Sequence, residues 1–177
     1  IPGPSVIPEE VLRSMHRAAP SIYEGELIEI TKSLIPDLNY VARSSGNVAI
    51  YIANGHGIWE AALSNIATAN DHILVVATGR FAHGWAEMAR KLGIKVDVVD
   101  FGKNRALDIE VLAKKLKSES KTKYKAILMT HVDTSTSIKN DISSIKKKLE
   151  EIDCSALLAV DCIASLACDK FEMDEWG

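Results

Sequence analysis

The sequence has few of the residues that build disulfide frameworks or metal centres. Its 177 residues include three cysteines, an odd number, and no two of them form a Cys-x-x-Cys pair. Reduced thiols are therefore expected, rather than a disulfide framework or a zinc site. The five histidines are scattered along the chain, which argues against a metal cluster. The residues are Cys154, Cys162, Cys168, His16, His56, His72, His83 and His131.

The sequence also lacks a strong charge imbalance and long apolar runs. The formal net charge of −3 gives no basic footprint for nucleic acid, and the lysine tracts at 114–117 and 146–148 are interpreted as solvated helix faces. No apolar run approaches the length that spans a bilayer, and residues 1–5 do not resemble a signal peptide. We therefore expect a protein of the cytoplasm, or of an organelle matrix such as the peroxisome, with no membrane or nucleic-acid partner.

Apolar strands and amphipathic helices alternate along the chain. With 47% hydrophobic and 25% charged residues, the composition is that of an ordinary globular domain. The alternation predicts an α/β fold of three αβα layers, with a mainly parallel central sheet covered on both faces. Predicted strands cover residues 48–53, 73–77, 94–99, 124–130 and 156–160. A first helix is predicted to begin directly after Pro8. Further predicted helices cover residues 24–41, 58–69, the stretch from Gly79 to Leu92, 109–116 and 141–149.

The last predicted strand ends at a single carboxylate, Asp161. Ligands of parallel sheets bind at strand ends, so an acid there is a candidate ligand group. The small, apolar residues 162–167 that follow suit a pocket wall, where a carboxylate needs a cationic partner. A protonated pyridine nitrogen, as in pyridoxal phosphate, is one such cation. An Asp that caps a helix or ends a strand in water fits this stretch equally well.

Residues 54–57, Asn-Gly-His-Gly, follow the first predicted strand. Glycines allow close approach of an anion, and the helix that follows would present free N–H groups to a phosphate. A plain tight turn is the alternative. A dinucleotide site is disfavoured because Glu60 stands where the third glycine of that fingerprint belongs, and because the next strand ends without a ribose-binding acid.

Two further strand ends carry candidate ligand groups. Phe81, just past a glycine turn, could stack on a flat cofactor ring or could belong to the core. The polar run at residues 131–137 could hold a phenolic oxygen or a phosphate through its hydroxyls, or could be an ordinary Ser/Thr turn. All four strand ends should lie at one edge of the sheet, so together they predict a ligand site there.

Five stretches, spread over nearly the whole sequence, match the motifs of one enzyme family in the expected order. They are residues 3–4 with 8–13, 54–63, 78–82, 131–136, and 160–166 with 174–177. On these stretches the chain resembles the N-terminal part of the class V, fold type I pyridoxal-phosphate aminotransferases, in the serine–glyoxylate and alanine–glyoxylate branch. The resemblance implies a homodimer and a ping-pong transamination between a small amino acid and a 2-oxo acid.

The resemblance also implies roles for individual residues. Asp161 would pair with the pyridine nitrogen, keeping it protonated so that the ring can accept electrons. The other implied cofactor contacts are Gly55, His56 and Gly57 to the phosphate, Phe81 and Ile163 to the two ring faces, and Thr134 beside the ring's oxygen substituent. Substrate contacts are expected from Gly3, Pro4 and Tyr23. Residues 1–20 would form an arm and first helix, and residues 21–177 the first part of the cofactor-binding large domain.

Several family features are missing or altered. No lysine here stands in the family's Schiff-base motif, which is expected soon after residues 176–177, and the C-terminal domain with its carboxylate-binding arginine is also missing. With no initiator Met, the sequence is expected to be incomplete. Asp133 stands where glutamate is common, Ser137 where glycine is common, and Ser21-Ile22-Tyr23 where serine–glyoxylate enzymes carry an acid-His-Arg run.

These departures leave the substrate open. The leading hypothesis is transfer from serine or alanine to glyoxylate or pyruvate. One alternative is a pyridoxamine–pyruvate aminotransferase, whose sequences show a similar Tyr and Asp-Thr pair. Another is a non-catalytic relative or truncated partner of the same fold.

Overall fold

The computed structural model describes residues 5–118 and 123–177, and the chain forms two compact units, Ile1–Ala49 and Ile50–Gly177. The described part of the first unit contains two helices, α1 (Glu9–Met15) and α2 (Glu26–Ala42). As predicted, α1 follows Pro8 and carries two acids in its first turn. α2 ends where Arg43 adopts the left-handed conformation at φ 55°. The predicted domain boundary at residue 20 stays a prediction.

The second unit is built from alternating helices and strands. Its elements are α3 (Gly55–Ile66), β1 (His72–Ala77), α4 (Arg80–Lys91), β2 (Lys95–Asp100), α5 (Ile109–Ser118), β3 (Ala126–Thr130), β4 (Val132–Asp133), β5 (Ile138–Lys139), α6 (Ile142–Glu151), β6 (Leu157–Asp161) and α7 (Met173–Trp176).

Four of these strands form one parallel sheet in the order β2-β1-β3-β6. The register pairs Ala77 with Asp100 and Thr130 with Asp161, so the carboxyl ends of the strands lie along one edge. The short strands β4 and β5 form a separate antiparallel hairpin directly after β3. The predicted α/β fold with a parallel sheet is confirmed.

Helices cover both faces of the sheet, which is why β1 and β3 are apolar except for His72 at the start of β1 and Thr130 at the end of β3. Because side chains alternate along a strand, Ile73 and Val75 pack with Trp59 on the face covered by α3 and α4. Leu74 packs on the opposite face, against Leu112 of α5 and other core residues. Each fully buried side chain of this kind contributes roughly 1.5–3 kcal/mol.

One predicted strand is wrong. Residues 48–53 form no strand, and the side chains of Ile50, Tyr51 and Ile52 are about half to fully exposed. This apolar run has the composition of a buried strand, but the described residues provide no neighbouring strand that bonds to it. In consequence α3 begins at Gly55, three residues earlier than predicted, and it takes Gly55, His56 and Gly57 into its first turn.

The edge strand β6 also differs from expectation. Its apolar sequence predicts a buried strand, but Leu157 is 52% exposed and the rest of the strand is only partly buried. The hairpin β4–β5 and the short helix α7 were not predicted, since neither is long enough to show a periodic pattern. Among the described residues, no helix combines the length and apolar character that a membrane crossing would require.

Candidate functional site

The amino end of α3 has the geometry of an anion-binding site. Asn54 is its N-cap, and its side-chain oxygen accepts a hydrogen bond from the Gly57 N–H at 3.1 Å. Helix geometry leaves the N–H groups of Gly55 and His56 without an intrahelical acceptor, and the helix dipole adds partial positive charge there. A phosphate suits such an end.

Space requires a glycine at position 57 and leaves little room for a side chain at position 55. A Cβ at Gly57 would lie 2.6 Å from the Ala53 Cβ, closer than real side chains approach. A Cβ at Gly55 would lie 3.1 Å from Cδ1 of Ile163, in the loop after β6. The N-terminal turn of α3 and the residues after Asp161 are therefore in near contact, although they are far apart in sequence.

Asp161, the last residue of β6, is partly buried and held by two donors. Its Oδ1 accepts a hydrogen bond from the Ile163 N–H at 2.9 Å, and its Oδ2 accepts one from Trp59 Nε1, also at 2.9 Å. Each carboxylate oxygen has two lone pairs, so both can accept a further donor. The carboxylate is thus oriented by the protein and retains capacity for a ligand N–H group.

Aromatic rings line the space between α3 and α4. The His56 and Trp59 rings meet edge to face at 4.5 Å between centroids, and Phe81 lies 6.2 Å from Trp59 and 6.4 Å from His56. Phe81 is only partly buried, so its ring combines a core contact with a surface that a ligand can reach. Trp85 stacks on Trp59 at 5.8 Å from the core side and is 3% exposed, so it lies outside the surface that a ligand can reach.

The amino end of α4, by contrast, is already occupied by the chain itself. Oδ2 of Asp133, on the β4–β5 hairpin, accepts hydrogen bonds from the N–H groups of Phe81 and Ala82 at 3.0 and 3.4 Å. The Arg80 N–H donates to the Ser135 hydroxyl at 2.9 Å. A Cβ at Gly79 would overlap the Asp133 carboxyl group. The amino end of α3 therefore has donors to spare, whereas that of α4 does not.

The polar run after β3 is held close to this capping contact. Thr136 donates to the Thr78 carbonyl oxygen at 3.0 Å, and buried Asn140 donates to the Thr78 hydroxyl and the Thr130 carbonyl oxygen. Ser137 adopts φ 58°, the left-handed region that favours glycine. Thr134 is partly buried next to Asp133.

The loop after Asp161 is tied back to β3 by His131. Its Nδ1 lies 2.9 Å from the Ser165 hydroxyl oxygen, and its ring contacts those of Phe171 and Trp176. Burial lowers the pKa of His131, and the charge of Asp169 opposes that effect. Burial and the nearby Asp161 raise the pKa of Cys162, so this thiol stays protonated at neutral pH and is a poor nucleophile.

The structure brings most of the candidate cofactor residues together. One connected set of contacts, through Trp59, links the five residues Gly55, His56, Phe81, Asp161 and Ile163. Thr134 lies one residue from Asp133, which binds the Phe81 N–H. Tyr23 lies in the N-terminal unit and is 86% exposed, while Gly3 and Pro4 lie outside the described residues. Their binding roles stay predictions.

Sequence reasoning missed two residues of this site. Trp59 was not recognised as the partner of Asp161, although its spacing three residues after His56 places both on one helix face. Asp133 was noted for its identity but not as the cap of α4. No local pattern reveals that contact, because the partners are 52 residues apart.

The donor set fits pyridoxal phosphate. That cofactor carries a phosphate, a flat ring and a ring nitrogen that is a donor when protonated. The structure provides a glycine-lined helix end that a Cβ would fill, an accessible aromatic ring, and an oriented carboxylate.

Comparison with known proteins gives one family. The aminotransferase class-V family model matches residues 10–177. Serine–glyoxylate aminotransferase of Arabidopsis thaliana is 34% identical over 178 residues, which cover 100% of this chain and 44% of that protein. L-aspartate–glyoxylate aminotransferase of Paracoccus denitrificans is 29% identical over 181 residues, covering 100% of this chain and 45% of that protein.

Solved structures agree on the fold. The ureidoglycine–glyoxylate aminotransferase of Bacillus subtilis superposes with a TM-score of 0.88 at 25% identity, over 99% of this chain and 44% of that one. The chain thus spans less than half the length of the relatives that it matches.

Proposed function

Because the chain belongs to the class-V aminotransferase family, we propose that it forms the cofactor site of a pyridoxal-phosphate-dependent aminotransferase. The observation that carries this proposal is Asp161, held at the carboxyl end of β6 by two N–H donors. A carboxylate fixed in this way, beside a helix end with free N–H groups, suits a ligand that is cationic at one end and anionic at the other.

The N-terminal turn of α3 binds the phosphate in this proposal. The backbone N–H groups of Gly55 and His56 donate to the phosphate oxygens, and the small glycines let the anion approach the backbone. The Gly57 N–H donates to Asn54 and thereby fixes the turn. Asp133 and Ser135 fill the neighbouring end of α4, so the phosphate binds at the end of α3 in this proposal.

Asp161 accepts the hydrogen bond of the ring nitrogen and holds the proton there. Phe81 packs on one ring face and Ile163 on the other, which excludes water, and Thr134 contacts the ring's oxygen substituent. When bound, pyridoxal phosphate supplies an aldehyde that exchanges amino groups and a ring that accepts electrons when a substrate Cα–H bond breaks.

Glyoxylate is the acceptor best supported by the relatives. The names of three similar proteins share glyoxylate but differ in amino donor, which is serine, aspartate or ureidoglycine. We propose a small amino donor, serine or alanine, with glyoxylate or pyruvate as acceptor, in a homodimer.

The test is made on the full-length protein from its source. Borohydride reduction followed by peptide mapping should find a pyridoxyl group on one lysine, and that lysine should lie in the family's lysine motif. Serine and alanine should each be assayed with glyoxylate and with pyruvate, and pyridoxamine with pyruvate.

Turnover with serine or alanine supports the proposal. Turnover with pyridoxamine alone would replace the proposed donor by the alternative one. A protein without a modified lysine and without turnover would overturn the catalytic proposal in favour of a non-catalytic relative.

A further inference from the structure

Trp59 lies at the centre of the candidate site, although it is a core residue by burial. Its side chain is only 4% exposed, within α3 and one turn after the residues that present free N–H groups. Its Nε1 donates to Oδ2 of Asp161 at 2.9 Å, across 102 residues of sequence. A hydrogen bond from a neutral donor to a carboxylate is stronger than one between neutral groups.

The same indole also contacts both aromatic neighbours of the site. Its ring lies 4.5 Å from that of His56 and 6.2 Å from that of Phe81, both in edge-to-face arrangements. On its other side, a Cβ at Gly84 would lie 3.3 Å from Cζ3 of Trp59, so the indole has little room to shift towards α4. Trp59 therefore joins groups from α3, α4 and β6 in one fixed arrangement.

Trp85 provides a built-in comparison. It stacks on Trp59 with an interplanar angle of 13° and is 3% exposed, within the same core cluster. Its Nε1, however, is buried and has no hydrogen-bond partner in the part of the chain that the structure describes. The two indoles match in size, burial and packing, and they differ in whether the N–H group meets a carboxylate.

We propose that Trp59 is a positioning residue, which acts on the cofactor through Asp161. Rotation of a carboxylate about its Cβ–Cγ bond changes the direction of its lone pairs, and two donors on different oxygens stop that rotation. Trp59 thereby aims the remaining lone pairs at the ring nitrogen before the cofactor arrives. This inference rests on the proposed function.

The first test compares Trp59→Phe with Trp85→Phe in the full-length protein. Loss of a hydrogen bond to a charged group should weaken pyridoxal-phosphate affinity about tenfold or more in Trp59→Phe. The kcat with the amino donor should fall while KM stays within about twofold of wild type, since Trp59 is only 4% exposed and offers little surface to a substrate. Trp85→Phe should keep cofactor affinity and kcat, because the N–H group that it removes has no hydrogen-bond partner among the described residues.

A double-mutant cycle separates positioning from packing. When Asp161→Ala has removed both acceptor oxygens, adding Trp59→Phe should cost little further cofactor affinity, because the two residues act as one unit. A purely structural role would give the same loss in both backgrounds. Equal losses in Trp59→Phe and Trp85→Phe, or additive losses in the cycle, would overturn the inference.

An NMR measurement covers the case in which Trp59→Phe fails to fold. In the full-length protein labelled at the indole nitrogens, the Nε1–H signal of Trp59 should move on Asp161→Asn while that of Trp85 stays in place. An unmoved Trp59 signal would contradict the hydrogen bond. A wild-type protein that binds no pyridoxal phosphate would overturn the proposed function itself, which is a different outcome from all of these.

Discussion

Asp133 and Asp161, both at the carboxyl edge of the sheet, differ in how many carboxylate lone pairs remain free to accept a hydrogen bond. Asp133 is fully buried, and each of its oxygens faces two donors of its own chain. Asp161 is partly exposed, and each of its oxygens has one donor. The first residue is therefore structural, and the second has lone pairs left for a ligand.

At the scale of the single residue, Asp161→Asn should separate binding from chemistry. We expect cofactor affinity to be weakened but detectable, because the phosphate turn and Phe81 remain. Transamination should fall by about 100-fold or more, since an amide does not hold a proton on the ring nitrogen. Cofactor titration and single-turnover kinetics with the amino donor measure the two effects.

Asp169→Asn is the matched control. This carboxylate follows Asp161 by eight residues and pairs with Lys139 at the surface, 2.8 Å away. It should leave both cofactor affinity and turnover near wild type. Near-normal turnover in Asp161→Asn would remove Asp161 from the proposed mechanism.

Residue identities at strand ends were the most informative part of the sequence. Asp161 and Phe81 could be singled out because each follows an apolar run. The partners of Asp161 and Asp133 could not, because those hydrogen bonds join residues 102 and 52 positions apart. Side-chain contacts over such distances depend on the assembled sheet and leave no local pattern.

At the scale of elements, the β4–β5 hairpin caps α4 from outside that helix. Asp133→Asn keeps the size of the side chain but leaves one oxygen, so an amide NH₂ must face donors. We expect a loss of roughly 1–3 kcal/mol in the free energy of unfolding. Cofactor affinity should fall too, because the Phe81 N–H is one of those donors. Urea unfolding and cofactor titration measure both.

The same substitution at Asp141 tests this reasoning. Asp141 is the N-cap of α6 and accepts from the Ser144 N–H and hydroxyl. An asparagine can accept from that N–H and donate to that hydroxyl, so Asp141→Asn should change stability by less than about 0.5 kcal/mol. Similar losses of stability in Asp133→Asn and Asp141→Asn would contradict the claim that Asp133 needs both of its carboxylate oxygens to cap α4.

Most of the longer elements were predicted well, and two of the exceptions have a common cause. β1 and β3 contain continuous apolar runs, at residues 73–77 and 126–129, and were recognised. Residues 48–53 have the same composition, but a strand also needs a neighbour to bond with, which composition does not report. The start of α3 moved for the same reason, since its first turn was assigned to a loop after a strand that does not exist.

At the scale of the whole molecule, His131 links stability to pH. Its pKa is lowered by burial, while Asp169 and Asp141 oppose that effect and Lys139 adds to it. The unfolded chain therefore binds a proton near the ordinary value of about 6.5, where the folded protein does not. Since the unfolded state then holds more protons, stability should fall as pH decreases below about 6.5.

His131→Asn should remove this dependence while keeping a side-chain amide, close to the position of Nδ1, that can hydrogen-bond to the Ser165 hydroxyl. The measurement is the urea midpoint of wild type and variant between pH 7.5 and about pH 5. The pKa values of Asp141 and Asp169 are lowered, so these two groups change stability only below about pH 4 and do not affect the comparison between pH 7.5 and about pH 5. Parallel curves for the two proteins would contradict the prediction.

The order of secondary structure elements was enough to predict the layered fold, because alternation of strand and helix leaves few arrangements. It could not predict the extent to which β6 is exposed. Burial of an edge strand depends on what lies beside it, and sequence pattern alone does not distinguish an edge from a centre.

The close fit of Gly79 against Asp133 also bears on the history of this sequence. Gly79 has an extended backbone that any residue could adopt, so it is space, not conformation, that keeps side chains out. A side chain at position 79 becomes acceptable only after position 133 has lost its carboxylate, and that loss first uncaps α4. Substitutions at the two positions are therefore coupled, and we expect sequences that carry a side chain at position 79 to lack the carboxylate at position 133.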